Sequence, residues 1–321
     1  MFRMKNYILV AVLSLSTITG WAAERYPNRP IRIVVNAVAG ALLDVTTRAI
    51  AQQMAIELGQ PIVVENRAGA AGLMGIRHVK GSPPDGYTLL SVANTFAQLP
   101  AFSPSPGYRL EDFTGIGIMN EAPLLMVGPP SQTAKSLAEL IAQAKANPGQ
   151  LTMASAGVGT STHMAGALFV QQAKVPVLHV PYKGNALALP DVIGGRINFL
   201  FDGGSSSRPN IESGKLRAFG VTSANRSPAF RDIPTLAEQG VPDYDFVVYQ
   251  GLVAPAGIPS NVVERLAKAL RVAQTSDAVT QRFKEDGAEP GSLSPEQFTE
   301  FLKQDLARTV KVVDELQISK Q

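Results

Sequence analysis

Short runs of branched apolar residues alternate with stretches of helical periodicity along most of this chain. Ile31-Arg32-Ile33-Val34-Val35 follows Pro30 and breaks at Asn36, which predicts a strand buried on both faces. Ile50, Met54 and Leu58 then recur every four residues before Gly59, the pattern of a helix stopped by a left-handed glycine. Ile62-Val63-Val64-Glu65 predicts a second strand, and residues 66–72 a loop into a short helix. Pro83-Pro84-Asp85-Gly86 has the composition of a turn, and residues 87–91 form a third strand running out at Asn94 and Thr95. The order β-α-β-α-β specifies an open parallel sheet with helices on both faces. Ligands of such sheets sit beyond the carboxyl ends of the strands, here the loops 36–44, 66–72 and 91–96.

Residues 97–120 show no clear period, and 124–127 reads as a strand. The alternation then resumes. A helix is expected around 136–146, a strand and loop over 151–163, and a helix to about 173. Strands at 177–180, 197–201 and 215–221 are separated by the turn 181–184 and a helix to about 193. After Tyr249 the chain is largely helical, with a long segment from Pro295 that is expected to pack back onto the first unit. The domains read as 23–123 plus 249–321, and 124–248.

The loop after residue 154 carries the clearest chemistry. Ser155, Gly157 and Gly159 turn the chain, and Thr160, Ser161 and Thr162 precede a helix holding His163. Small residues let a ligand approach the backbone. A hydroxyl-capped helix start also offers free N–H donors, which attract a carboxylate or phosphate. An ordinary turn from strand to helix uses the same residue types. The lysine of a P-loop and the third glycine of a dinucleotide turn are both missing, so a nucleotide is not expected. His163 serves either as a ligand contact or as a hydrogen-bond partner for its own loop.

Residues 1–22 have the three regions of a secretory signal: Arg3 and Lys5, an apolar stretch from Tyr7, and small residues before Ala23. The mature protein is therefore expected in the periplasm. Removing Arg3 and Lys5 lowers the formal charge from +3 to +1. With no basic run, no nucleic-acid partner is expected. The chain has no cysteine and three histidines, so neither disulfides nor a metal cluster is expected, and no cofactor.

Several stretches together resemble the Bug-type (TctC-type) substrate-binding proteins of tripartite tricarboxylate transporters. They are Tyr26-Pro27-x-x-Pro30-Ile31-Arg32, Gly59-Gln60-Pro61-x-Val63-Val64-Glu65-Asn66-Arg67-x-Gly69 and Pro83-Pro84-Asp85-Gly86-Tyr87-Thr88-Leu89. Farther on come Ser155-Ala156-Gly157-x-Gly159-x-Ser161-x-His163 and His179-Val180-Pro181-Tyr182-Lys183-Gly184. Gly194-Gly195-Arg196 and Leu252-x-Ala254-Pro255-Ala256-Gly257 complete the set.

The resemblance implies a type II periplasmic binding protein: two doubly wound α/β domains, two crossover strands, and a ligand cleft between. It implies a small carboxylate ligand, delivery to an integral membrane permease, and a monomer. A membrane sensor is an alternative partner. A hydrolase using Ser161 with His163 is disfavoured, because residues two apart at a helix start do not face each other and no G-x-S-x-G elbow occurs.

The family's first ligand loop typically reads Pro-Phe-x-Pro-Gly-Gly-Ser/Thr-x-Asp. Here the stretch is Asn36-Ala37-Val38-Ala39-Gly40-Ala41-Leu42-Leu43-Asp44, and only Gly40 and Asp44 match. Leu42 replaces a capping hydroxyl and adds apolar surface. The expected ligand therefore has one carboxylate and an apolar or aromatic remainder, unless Leu42 and Leu43 merely pack beneath the loop. The expected ligand residues are Ala37, Val38, Ala39, Gly40, Ala41 and Leu42 in the first loop, with Asn94 and Thr95 nearby. From the second unit come Ser155, Gly157, Gly159, Thr160, Ser161, His163, Tyr182, Lys183, Gly184 and Asp202. Asp202 either accepts from the ligand or caps the segment that follows it.

Overall fold

A computed structural model describes residues 26–69, 72–103 and 105–318. The secretory signal expected over residues 1–22 lies outside the described residues. Strand β1 (Ile31–Val35) has β2 (Ile62–Asn66) and β3 (Thr88–Ala93) as parallel neighbours. Helices α1 (Leu42–Leu58), α2 (Leu73–Lys80) and α3 (Asn94–Phe102) connect and cover them. Gly59 ends α1 at φ 68°, and its N–H returns to the Ala55 carbonyl, as the sequence anticipates.

The next strand, β4 (Phe113–Gly128), is four times the length expected from the pattern at 124–127. Its first half pairs with β9 (Val247–Pro255), and its second half with β7 (Phe199–Gly203) and β8 (Arg217–Val221). Between these lie α4 (Leu137–Ala146), β5 (Thr152–Ser155), α5 (Ser161–Ala173), β6 (Leu178–Pro181), α6 (Asn185–Ile193) and α7 (Gly204–Glu212). Helices α8 (Ser260–Gln274) and α9 (Asp277–Asp286), the short β10 (Glu289–Pro290) and α10 (Pro295–Glu315) follow β9.

The strand order is β2-β1-β3-β9-β4-β7-β5-β6, with β8 and β10 also on β4. The chain therefore makes two α/β lobes joined by two crossings. In one, β4 leaves β9 at Pro123 and enters the second lobe at Leu124. The other is the segment entering β9 at Val247. Buried Thr222 pins both crossings. Its Oγ1 accepts the Leu124 N–H at 2.7 Å, its N–H reaches the Leu124 carbonyl, and its own carbonyl takes the Phe246 N–H at 2.8 Å.

Helix α10 departs from expectation, because it packs on both lobes. Phe298 and Leu302 enter a core with Phe96, Tyr108 and Tyr249 of the first lobe. Val312 and Val313 enter the second-lobe core with Phe169, Phe199 and Phe201. The spacing from 298 to 302 and from 309 to 313 keeps these side chains on one stripe of the helix. Each such side chain contributes about 1.5–3 kcal/mol by burial, so both ends of α10 are firmly seated.

Candidate functional site

In both lobes the strands end on loops that close over a helix N-terminus, and polar contacts fix the shape of each loop. In the first lobe Asn66 donates to the Ala37 carbonyl at 3.1 Å and to Asp44 Oδ1 at 2.9 Å. Asp44 Oδ2 accepts the Gly40 N–H at 2.9 Å, and Oδ1 also takes the Arg48 guanidinium at 3.0 Å. Burial would raise this carboxyl, but hydrogen bonds from Arg48, Gly40 and Asn66 and the Arg48 charge outweigh it and hold the pKa below the usual carboxylate value. Gly40 sits at φ 81°, where a side chain would be strained.

The helix cap falls one residue earlier than the sequence suggests. Ala41 is the N-cap of α1, with no side-chain bond, and Leu42 is the first helical residue. The N–H groups of Leu42, Leu43 and Asp44 precede the first intrahelical bond, made by Val45 to Ala41. They have no partner among the described residues. Leu43 enters the core, whereas Leu42 is 46% exposed and Val38 64% exposed.

The second-lobe loop is more tightly knit. Thr160 is the N-cap of α5, accepting from His163 N–H and donating to the Gly157 carbonyl at 2.7 Å. Thr162 Oγ1 accepts the Ala156 N–H at 2.9 Å, a structural role the sequence reading missed in the run of three hydroxyls. Gly157 N–H reaches Ser155 Oγ at 3.1 Å, and that oxygen lies 2.7 Å from His179 Nε2. Ser155 is wholly buried, so this Ser–His pair braces the loop from beneath and presents no nucleophile. Gly159 N–H donates to His163 Nδ1 at 3.2 Å. The amides of Ser161 and Thr162 and the Ser161 hydroxyl make no hydrogen bond within the described residues. They are the donors this loop offers.

His163 and His179 stack with centroids 4.2 Å apart. Burial, then the neighbouring His179, pushes the His163 pKa down to about 4, and burial lowers His179 as well. Both rings are neutral at neutral pH, so neither brings positive charge to an anion. The loop carrying Tyr182, Lys183 and Gly184 joins this one through Tyr182 N–H to the Ser155 carbonyl at 3.0 Å and Gly184 N–H to the Ala156 carbonyl at 3.1 Å. Lys183 is exposed. The Tyr182 hydroxyl is spent on Asp191 Oδ2 at 2.7 Å.

Two polar residues expected to meet ligand are engaged elsewhere. Asn94 is buried at the start of α3. Its amide donates to the Val247 carbonyl at 3.0 Å and accepts the Tyr249 N–H at 2.9 Å, fastening this loop to the second crossing. Asp202 is also buried and accepts from Asn185 at 2.7 Å, from Ser207 at 2.8 Å and from Ser206. It holds the side chains of Ser206 and Ser207 in the first turn of α7 but accepts from no backbone N–H there, and Gly203 is the N-cap, so the capping role expected from the sequence is not found. Thr95 is half-buried beside Asn94. Arg67 pairs with Glu65 at 2.7 Å. The lobes approach at Phe102, where any side chain placed on Gly159 would meet the Phe102 ring at 3.6 Å.

Comparison with known proteins agrees with this architecture. The family model described as "Tripartite tricarboxylate transporter family receptor" matches residues 46–318. A UPF0065 protein in the tcbD-tcbE intergenic region of Pseudomonas sp. (strain P51) is 34% identical, over 98% of this chain and 95% of its own length. Protein BugT of Bordetella pertussis is 33% identical over 98% of both chains. Among solved structures, the periplasmic binding protein BugD superposes with a TM-score of 0.73 at 32% identity, covering 92% of this chain and 100% of its own. R. palustris Rpa4515 with adipate gives 0.76 at 31%, covering 92% and 99%. MatC from Rhodopseudomonas palustris with bound malate gives 0.73 at 28%, covering 90% and 100%. With two α/β lobes, two crossings and these matches along most of its length, the chain belongs to the tripartite tricarboxylate transporter receptor family and is a solute-binding protein of the Bug/TctC type.

Proposed function

We propose that this protein captures, in the periplasm, a small acid with one carboxylate and an apolar or aromatic remainder, and passes it to an integral membrane permease. The observation that carries the reading is the character of the cleft loops. Val38 and Leu42 on one lobe and Val158 on the other are 64%, 46% and 40% exposed, while among the described residues of the 36–44, 155–163 and 181–184 loops Lys183 is the one cation. The α5 N-terminus, with Ser161 hydroxyl and two free amides, suits a single carboxylate held without a formal charge. Closure of the lobes about the crossings at Pro123–Leu124 and Val247 then brings the apolar side chains onto the ligand. Burying each is worth up to about 1.5–3 kcal/mol, comparable to a second carboxylate contact. Ligands bound in relatives, adipate and malate, are dicarboxylates; the proposed ligand keeps one carboxylate and exchanges the other for apolar surface.

A thermal-shift panel of carboxylates on the mature protein tests this. An acid present at about a thousand times its Kd adds roughly 4 kcal/mol of stability, several degrees in Tm for a chain this long. Benzoate-like or branched aliphatic monoacids are expected to give the largest shifts. Tighter binding of citrate or aspartate than of every aromatic monoacid would refute the apolar pocket.

A further inference from the structure

Lobe closure cannot leave α10 undisturbed, because its two ends are held by different lobes. At its start, Phe298 fits notches left by two glycines of the strands that lead to the crossings. A side chain begun on Gly115 of β4 would meet the Phe298 ring at 2.9 Å, and one on Gly251 of β9 at 2.5 Å. Thr299 Oγ1 also accepts the Gly115 N–H at 2.9 Å. At the far end Val312 and Val313 lie in the second-lobe core, and Glu315 accepts a hydrogen bond from Gln171 of α5. Leu306, between the two ends, packs against both cores. Phe298 and Leu302 bury more apolar surface than two valines, so the amino-terminal seat is the stronger.

The middle of the helix grips the second crossing. Buried Asp305 accepts from Tyr249 of β9 at 3.2 Å and from Gln98 of α3 at 3.4 Å. Arg308 donates to Asp305 at 3.2 Å and to the Asp245 carbonyl at 3.0 Å, and its guanidinium lies 5.9 Å from the Phe246 ring centroid. Asp245 and Phe246 immediately precede the crossing at Val247, so a rotation there is transmitted to residues 305–308. Thr309 Oγ1 donates to the Asp305 carbonyl at 2.7 Å, a bond of the kind that bends helices. We infer that α10 is a strap across the hinge, bending in the turn Asp305–Thr309, whose seat at Val312 and Val313 sets how freely the lobes move.

Val312 lies seven residues beyond Asp305, about 10 Å along the helix axis. Turning the second lobe by about 15°, an ordinary angle for such transitions, carries a surface about 10 Å from the axis through about 3 Å. A side chain displaced that far from its neighbours loses its dispersion contacts. The strap therefore opposes rotation as long as its seat holds, and the bend at Thr309 lets part of the motion through. This inference rests on lobe closure as the means of capture, but not on which acid is captured.

The chain contains no cysteine, so Ile56→Cys on α1 and Lys145→Cys on α4, both exposed, place one nitroxide label on each lobe. Pulsed electron paramagnetic resonance on the ligand-free mature protein then gives the distribution of interlobe distances. Val313→Ala removes two methyl groups from the seat and should raise the population outside the wild-type main peak about ten-fold. Thr309→Val keeps nearly the same shape, removes the bending bond, and should narrow the distribution; it keeps the test informative if the alanine variant misfolds. Melting temperature is the folding control. Opposite changes in the two variants support the strap. An unchanged distribution in either folded variant would overturn it, as would changes of the same sign. With no ligand present, the result is independent of the carboxylate thermal-shift panel, so failure of the apolar-acid reading and failure of the strap are told apart.

Discussion

Replacing His163 by asparagine removes one titrating group while keeping an acceptor, the amide oxygen, near the position of Nδ1 for the Gly159 N–H. In the folded protein the imidazole pKa is about 4, against 6.5 when exposed. Between those values the unfolded chain binds one more proton than the native one, so stability rises with pH and is lost as pH falls below about 6.5. Each pH unit in that window is worth ~1.4 kcal/mol. Going from pH ~7 to ~5 crosses about 1.5 units, a loss of roughly 2 kcal/mol from this residue. His179, lowered by burial, adds in the same direction. Glu121 and Asp305, both raised chiefly by burial, act in the opposite sense at the acid end. The difference between wild type and His163→Asn isolates the histidine from these. Urea unfolding at both pH values should show wild type losing about 2 kcal/mol more than the variant. Equal losses in the two proteins would show that His163 is not held neutral by its burial.

Two further outcomes follow from the loops. Ala41→Ser supplies the side-chain cap that α1 lacks, at a backbone geometry (φ −65°, ψ 157°) that already suits one. It should stabilise by about 1 kcal/mol, or about 2 °C in a calorimetric scan. An unchanged melting temperature would contradict the uncapped N-terminus. Asn94→Ala leaves the Val247 carbonyl and Tyr249 N–H buried without partners and should cost about 2–4 kcal/mol in urea unfolding; a loss below about 0.5 kcal/mol would mean that the clamp is not structural.

Much of the architecture was legible because local chemistry and tertiary structure agree. The uninterrupted apolar run at 31–35 is a central strand, and Gly59 takes the left-handed conformation that stops α1. The first half of β4 was not legible. Gly115 and Gly117 interrupt its apolar pattern, and Gly115 is small because Phe298 and Thr299 of α10 lie 2.9 Å from where a side chain would begin. That reason sits more than 180 residues away along the chain. The same distance hides the work of Asn94, whose partners are at 247 and 249. A polar residue at a strand end looks alike whether it meets a ligand or a remote carbonyl. The hydroxyl-capped helix start after the Ser-Ala-Gly turn was legible, as was a bond between His163 and its own loop; that Thr162 is spent on the Ala156 amide was not.

Strand β9 lies between β3 and β4, although it is made some 120 residues after β4. As the chain emerges from N- to C-terminus, β3 and β4 both present open edges until residue 255 has appeared. The strands of the second lobe have no such wait, since β5 to β8 are contiguous and β4 is already present, but its core still lacks Val312 and Val313 of α10. Both lobes therefore depend on the carboxyl-terminal part of the chain, the first for a central strand and the second for part of its core. A chain stopped just before Val247 would carry two unpaired strand edges and a second-lobe core open where α10 should pack, the kind of surface on which chains aggregate.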